Sequence, residues 1–221
     1  MRRAFIFDMD GTLADTMPYH QRAWDALFAN MDVTVDRDDF FQWSAGLTNR
    51  EILPRVLGND YPLDALLAAS EKKEAHYREL YRPAMVTIAG TIPFLQRATN
   101  AGYLRAVGTA APPGNVDLVL DGLHLRDYFQ AVVGAADVSR GKPDPEIFLM
   151  AAAKLGVAPA NCVVFEDAPA GIEAARRASM PCVVVTTTLT RAQIATMGDA
   201  AAHVTHVIDD FTDASLDSLF A

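Results

Sequence analysis

Short, unbroken apolar runs recur along the chain and predict buried β-strands. Strands that are apolar on both faces are typical of a parallel sheet covered by helices. The runs occupy residues 4–7, 104–108, 131–133, 162–165 and 182–185.

The segments between these runs have the 3.6-residue period of amphipathic helices. Apolar positions three and four apart lead up to Gly102, Gly122 and Gly156, and each glycine stands where a helix would end. Thr190 and Gln193 form a capping-box pattern at the start of another helix. Alternating strands and helices predict an α/β fold with a Rossmann-like, doubly wound parallel sheet.

The segment from about residue 18 to residue 83 has a different pattern, because the helical period dominates and no strand-like run appears. One apolar stripe runs from His20 to Met31 and another from Leu63 to Tyr81. We therefore predict an all-helical cap domain, residues 16–83, inserted into a catalytic core formed by residues 1–15 and 84–221. Two chain crossings between these parts can act as hinges. Lys72 and Lys73 are expected on a solvated face of the second helix.

Composition and charge exclude several classes of protein. The chain has 221 residues, of which 51% are hydrophobic and 21% charged, as in an ordinary globular protein. Its net charge of −9 argues against nucleic acid or an anionic membrane as a partner. No stretch approaches the ~18 apolar residues of a membrane span. We expect a cytoplasmic protein, and a monomer.

Acidic residues follow two of the predicted strands. Asp8 and Asp10 follow the first run, and Glu166 and Asp167 follow the fourth. Because ligands of open α/β sheets bind beyond the carboxyl ends of the strands, these four carboxylates are expected to converge. Such a cluster needs a cation, and oxygen ligands without clustered His or Cys favour Mg²⁺.

Each of these residues also has a simpler interpretation. An Asp-x-Asp pair is often a solvated turn, and Glu166 with Asp167 can be an acidic pair favoured by a helix dipole. Thr109, at the end of the second run, can cap a helix, and Lys142 can be a surface lysine. His203 and His206 have metal-like spacing but no neighbouring Cys, so we interpret them as structural.

Taken together, the motifs resemble the haloacid dehalogenase superfamily of phosphotransferases. The helical insertion is placed as in the subgroup of β-phosphoglucomutase and small phosphatases, which has a helical C1 cap. The motifs that carry the resemblance are Asp8-Met9-Asp10-Gly11-Thr12, Thr109, Gly141-Lys142-Pro143-Asp144-Pro145 and Glu166-Asp167-Ala168-x-x-Gly171.

The resemblance implies a catalytic role for four residues. Asp8 would be the nucleophile that becomes an aspartyl phosphate. Asp10 would act as general acid and base, which asks for a pKa raised toward neutrality. Thr109 and Lys142 would bind the oxygens of the transferring phosphoryl group.

The resemblance also implies how Mg²⁺ is held. Asp8, the backbone carbonyl of Asp10 and Asp167 would be ligands. Glu166 would be a further ligand or would support the others. We therefore expect Mg²⁺ as the cofactor.

The substrate is expected to contact the cap and the loop after the second strand. His20 lies on an apolar stripe, so it can also be a packing residue. Arg50, in a segment that resembles the specificity loop of the subgroup, can bind a second anionic group. The candidate substrate-binding residues are Thr16, His20, Trp24, Gly46, Arg50 and Ala110.

The activity predicted by these motifs is Mg²⁺-dependent hydrolysis of a small phosphorylated metabolite, such as a sugar or polyol phosphate. The alternative is β-phosphoglucomutase, which must hold two phosphates. Ala45 replaces a lysine often found before the loop glycine, and the segment 110–113 lacks the polar residues of the mutases, which favours a phosphatase. A catalytically idle protein that senses a phosphorylated ligand is the alternative from another class.

Overall fold

The computed structural model describes residues 3–221 and contains a six-stranded sheet in the order β3-β2-β1-β4-β5-β6, with every neighbouring pair parallel. The doubly wound α/β prediction is confirmed, and each of the five apolar runs forms a strand. The strands are β1 Ala4–Phe7, β2 Leu104–Gly108, β3 Ala131–Val133, β4 Cys162–Glu166, β5 Cys182–Val185 and β6 Val204–Ile208.

Helices cover both faces of this sheet and fill the insertion. Gly156, at φ 65°, ends α7 in the left-handed conformation that the sequence predicted. Among residues 3–221, no helix has the length and apolarity to cross a membrane. The helices are α1 Met17–Asn30, α2 Arg37–Ser44, α3 Asn49–Leu57, α4 Leu63–Tyr81, α5 Thr91–Asn100, α6 Pro113–Gly122, α7 Glu146–Leu155, α8 Pro169–Arg177, α9 Arg191–Ala195 and α10 Asp199–Ala202.

The central strand β1 is buried on both faces. Phe5 and Phe7 belong to the hydrophobic cluster on one face, and Ile6 belongs to the cluster on the other. The ring of Phe7 stacks on that of Phe165 in β4, with centroids 4.6 Å apart. This packing fixes the ends of β1 and β4, after which Asp8 and Asp167 follow.

Four helices, α1 to α4, follow β1 in the sequence and precede the other strands of the sheet. They have a hydrophobic cluster of their own, which includes Trp24, Phe28, Phe40 and Leu53. The all-helical character of the insertion agrees with the sequence pattern. The domain limits at residues 16–83 stay a prediction.

The exposure of side chains in helix α4 differs from the prediction in its first half and in its middle. Leu63 and Leu67 are 70% and 48% exposed, whereas Lys73 and Glu74 are each only 3% exposed. The prediction of a solvated Lys73 is therefore wrong. The reason is that the second half of α4 packs on α1, where Tyr77 stacks against His20 at 3.8 Å.

The sixth strand was not predicted. Thr205 and His206 interrupt the apolar residues of this segment, and β6 pairs with β5 at the edge of the sheet. Its histidine, His206, bonds Ser218 Oγ at 2.9 Å, and His203 Nε2 contacts the carbonyl of Met180. Both histidines are structural, as the sequence indicated.

Candidate active site

The site lies where the strand order changes direction, between β1 and β4. The backbone N–H of Asp8 donates to the carbonyl of Phe165 at 2.9 Å, which ties the end of one strand to the other. A cavity opens above this point, lined by the loops that follow β1, β2 and β4 and by helices α1, α3 and α4 of the insertion. Ligands of doubly wound sheets bind at such a switch point.

Three carboxylates converge at the sheet end of this cavity. Oxygens of Asp8, Glu166 and Asp167 all lie within 4.8 Å of one another, and the three residues are buried. Burial raises the pKa of Asp8 to about 7, in spite of the nearby Lys142. Burial and the charges of Glu166 and Asp8 raise the pKa of Asp167 as well. An all-oxygen donor set with excess negative charge fits a hard divalent cation such as Mg²⁺.

Lys142 is fully buried between two of these acids. Its Nζ donates to Asp8 Oδ1 and to Glu166 Oε1, each at 2.6 Å. Burial disfavours the charged ammonium, but the charges of Asp8 and Glu166 outweigh this and raise the pKa of Lys142. The simpler interpretation of Lys142 as a surface lysine is thereby excluded.

Both oxygens of Glu166 already have donors. Oε1 accepts from Lys142, and Oε2 accepts from the backbone N–H groups of Asp167 and Ala168 at 2.8 Å. This carboxylate therefore holds the lysine and the loop after β4 in place. Of the two roles expected for Glu166, the geometry favours support over direct ligation.

Two glycines leave the space that the carboxylates occupy. A Cβ on Gly171 would lie 1.7 Å from Glu166 Oε1. Gly11, at φ 77°, would place a Cβ 2.2 Å from Asp167 Oδ2. Any side chain at either position must displace an acid of the site.

Two threonine hydroxyls orient Asp167. Thr12 Oγ1 donates to Oδ1 at 3.1 Å, and Thr188 Oγ1 donates to Oδ2. Sequence reasoning missed Thr188, which lies beyond the carboxyl end of β5. Its place after a strand was the only available signal, since an isolated threonine carries no motif.

The carboxylate of Asp10 lies outside the acidic cluster, which corrects the expectation that four carboxylates converge. The chain turns after Asp8, and Asp10 Oδ1 lies 3.4 Å from both His20 Nε2 and the hydroxyl of Tyr77. Burial favours the neutral acid, but His20 and Thr16 together outweigh it and lower the pKa of Asp10. The expected upward shift of this pKa is therefore not found in this structure.

A buried polar network extends from Asp10 into the insertion. His20 Nδ1 lies 2.8 Å from Lys73 Nζ, which also donates to Glu74 Oε1 at 2.8 Å. Burial raises the pKa of Glu74, but Lys73 outweighs this effect and lowers it to about 2. Sequence reasoning found His20 and missed Lys73 and Glu74, although charged residues on an otherwise apolar stripe were a usable signal.

The remaining predicted residues divide into two groups. Trp24, Gly46, Thr109 and Ala110 line the cavity, as does His20. Thr16 is fully buried and does not contribute to the cavity wall.

Arg50 differs most from its predicted place. Its side chain is exposed and does not line the cavity, because α3 turns Ile52 and Leu53 inward. The structure therefore does not bring Arg50 to the site as a cation for a second anionic group.

Comparison with known proteins extends over nearly the whole chain. The model of the haloacid dehalogenase-like hydrolase family matches residues 2–179. The fructose-1-phosphate phosphatase YqaB of Escherichia coli (strain K12) is 36% identical over 182 residues, which are 81% of this chain and 94% of that protein.

Two β-phosphoglucomutases are also similar. The enzyme of Bacillus subtilis (strain 168) is 34% identical over 189 residues, 80% of each chain. A crystal structure of β-phosphoglucomutase from Clostridium difficile has a TM-score of 0.85 at 28% identity and covers 99% of this chain and 96% of that one. The likeness therefore includes the helical insertion as well as the sheet.

Proposed function

Because the chain belongs to the haloacid dehalogenase-like hydrolases, we propose that it is a Mg²⁺-dependent phosphatase of a small sugar or polyol phosphate. The observation that carries the proposal is the buried group of Asp8, Asp167 and Lys142 at the floor of one cavity. Phosphoryl transfer needs a nucleophile with fixed positive charge around it, and this group supplies both.

Asp8 is the nucleophile in this proposal. Lys142 binds its Oδ1, and the cavity adjoins the residue. A carboxylate oxygen of Asp8 forms a bond to phosphorus while the ester oxygen of the substrate leaves. Water then attacks the phosphorus, the bond to Asp8 breaks, and inorganic phosphate is released.

Asp10 is the general acid and base in this proposal. It lines the same cavity, and His20 and Tyr77 hold its carboxylate. A proton on Asp10 passes to the departing alcohol oxygen, and the carboxylate then takes a proton from the attacking water. His20 and Thr16 lower the pKa of Asp10, so this step requires that Asp10 take up a proton before the ester bond breaks.

The Mg²⁺ ion would be held by Asp8, Asp167 and the backbone carbonyl of Asp10. When bound, it neutralises charge on the phosphoryl oxygens. Glu166 keeps Lys142 beside Asp8, and Thr12 and Thr188 orient Asp167. Thr109, which is buried directly after β2 and lines the cavity, would donate its hydroxyl to a phosphoryl oxygen.

Phosphatase activity is favoured over the mutase alternative. The similarity to β-phosphoglucomutases supports the alternative. A mutase must hold a second phosphate, however, and Arg50, the cation expected for it, is exposed outside the cavity. We further propose that residues 16–83 form the cap that encloses the substrate.

Phosphate release from a panel of sugar and polyol phosphates with Mg²⁺ tests this function. We expect Asp8→Asn to lose about a thousandfold or more in kcat, because the nucleophile is removed. Chelation of Mg²⁺ should abolish turnover. Near-normal activity of Asp8→Asn would contradict the nucleophile assignment.

Two further outcomes separate the alternatives. Glucose 6-phosphate formed from β-glucose 1-phosphate, with little free phosphate, would identify a mutase. Ligand binding without turnover of any ester would identify a sensor protein.

A further inference from the structure

The insertion end of the cavity contains a buried carboxylate that the proposed reaction does not use. Glu74 lines the cavity from α4 and is 3% exposed. Its Oε1 accepts from Lys73 Nζ and Asn49 Nδ2, each at 2.8 Å. Its Oε2 accepts from Asn115 Nδ2 of α6 at 2.6 Å. Residues of both the insertion and the sheet domain thus hold one ionised acid in the wall.

The lysine beside it already uses two of its three donors within the protein. Within the described part of the chain, Lys73 is the only Lys or Arg that lines the cavity. An ammonium has three donors. Two of them reach His20 Nδ1 and Glu74 Oε1, and the charge lies 5.0 Å above the ring of Trp24. Lys73 and Glu74 therefore cancel each other in charge at this end of the cavity.

The donors and acceptors decide which substrate group fits. A carboxylate has about four acceptor positions, and three of those of Glu74 are used. The free position is on Oε2, and it can accept a hydrogen bond from a hydroxyl group. A phosphate dianion has no hydrogen to give, so its oxygens would meet the carboxylate oxygen of Glu74 without a hydrogen bond, in a buried site whose lysine is already paired, and this is strongly unfavourable.

We propose that Glu74 is a specificity-determining residue that accepts a hydroxyl of the non-phosphorylated end of the substrate and excludes substrates with a second phosphate there. This inference rests on the proposed phosphatase function and narrows its substrates to monophosphates of polyhydroxy compounds. A bisphosphate fits in neither orientation, because whichever of its phosphates enters the sheet end of the cavity, the other one meets Glu74.

The wild-type enzyme provides the first test. Fructose 1-phosphate and fructose 1,6-bisphosphate differ only in the second phosphate. We expect kcat/KM for the monophosphate to exceed that for the bisphosphate by at least ~10-fold, since like charges in an enclosed site repel strongly. Equal or better turnover of the bisphosphate would overturn the proposal.

The variant Glu74→Gln provides the second test. It keeps the shape of the side chain and removes its charge, so Lys73 is left uncompensated. The ratio of kcat/KM for bisphosphate to monophosphate should rise by about tenfold or more. Glu79→Gln is the matched control, since Glu79 lies on the same helix with its side chain 78% exposed, and the ratio should not change. An unchanged ratio in folded Glu74→Gln would also contradict the proposal.

Acetyl phosphate, whose acetyl group is too small to reach the insertion, separates the two levels of failure. If the wild type releases phosphate neither from any phosphate ester nor from acetyl phosphate, the phosphatase function itself is wrong. If it hydrolyses acetyl phosphate, but hydrolyses fructose 1,6-bisphosphate as well as fructose 1-phosphate or better, only the role of Glu74 is wrong. Thermal unfolding shows whether Glu74→Gln is folded, and the wild-type pair decides the proposal if it is not.

Discussion

The two ends of the cavity each contain a buried acid next to a buried lysine, but they differ in charge balance. At the sheet end, Lys142 is shared between Asp8 and Glu166, with Asp167 nearby. At the insertion end, Lys73 pairs with Glu74 alone. The pKa of Asp8 is raised to about 7, whereas that of Glu74 is lowered to about 2.

Burial alone does not explain this difference, because Asp8 and Glu74 are both almost inaccessible to solvent. The number of acids per cation explains it. An end with surplus carboxylates gains stability from a bound cation, while an end whose charges are already paired gains none. The first is suited to chemistry and the second to selection of the substrate.

Among the changes that test this comparison of the two ends, Gly171→Ala at the sheet end is expected to lower kcat the most. In Gly171→Ala, the new methyl group collides with Glu166, whose displacement moves Lys142 away from Asp8. We expect kcat to fall by about a hundredfold or more, as for small misplacements of catalytic groups. Steady-state kinetics measure the loss. Gly114→Ala is the control, because the nearest side chain there is the flexible Arg78 at 3.4 Å. Normal kcat in Gly171→Ala would show that Glu166 does not position the lysine.

A smaller effect is expected from Thr188→Val, which removes one hydroxyl donor to Asp167 and keeps its own shape. Groups that orient metal ligands typically contribute about tenfold in metal affinity. The Mg²⁺ concentration for half-maximal activity should rise by about this factor. Thr205→Val serves as control, since Thr205 lies in β6 and its Oγ1 bonds the carbonyl of Cys182 and Nδ1 of His206 rather than an acid of the site. An unchanged Mg²⁺ requirement would mean that Asp167 needs no such support.

The surplus of acids should also make stability depend on pH. Asp8 binds its proton more tightly in the folded protein, with a pKa of about 7, than in the unfolded chain, with 3.8. In metal-free protein, its contribution to the free energy of unfolding is therefore present below about pH 4 and is lost as pH rises to about 7. Asp167 acts in the same direction.

Urea unfolding in chelator measures this dependence. The wild type should be less stable at about pH 8 than at about pH 5, and Asp8→Asn should lose much of the difference. Added Mg²⁺ should restore stability at the higher pH. If the stability of the wild type instead rises from about pH 5 to about pH 8, the sheet end of the cavity does not contain an excess of negative charge.

The smallest effect is expected at Arg50, which is exposed and lies outside the cavity. Arg50→Ala should change kcat/KM by less than about threefold, as is usual for surface residues. A large increase in KM with an unchanged melting temperature would show that Arg50 enters the site when substrate binds.

Much of the fold followed from the sequence because its strands are buried. Continuous apolar runs marked β1 to β5, and the predicted fold class and family resemblance are confirmed. Strand β6 was not predicted because it lies at the sheet edge, where Thr205 and His206 are tolerated and interrupt the apolar run.

The sheet end of the site was predictable for a related reason. Residues that follow buried parallel strands meet at one edge, so Asp8, Thr109 and Asp167 could be placed together from their positions alone. The insertion end of the site was not predictable in this way, because Lys73 and His20 meet only through the packing of α4 on α1. Helical periodicity gives the face of each helix but not its partner. Arg50 was misplaced for another reason, because its segment resembles a specificity loop, whereas the structure makes Arg50 part of α3.

Gly46 touches the loop after β4 with almost no clearance. A Cβ there would lie 3.2 Å from the Cβ of Ala168, and Gly46 has a φ of 81°. Across the same seam, a Cβ on Gly141 would lie 2.5 Å from Glu51 Oε2. A methyl group at Gly46 would press on the loop after β4, and one at Gly141 would displace the carboxylate of Glu51. Two residues without a side chain therefore allow the insertion and the loops of the sheet to approach each other closely.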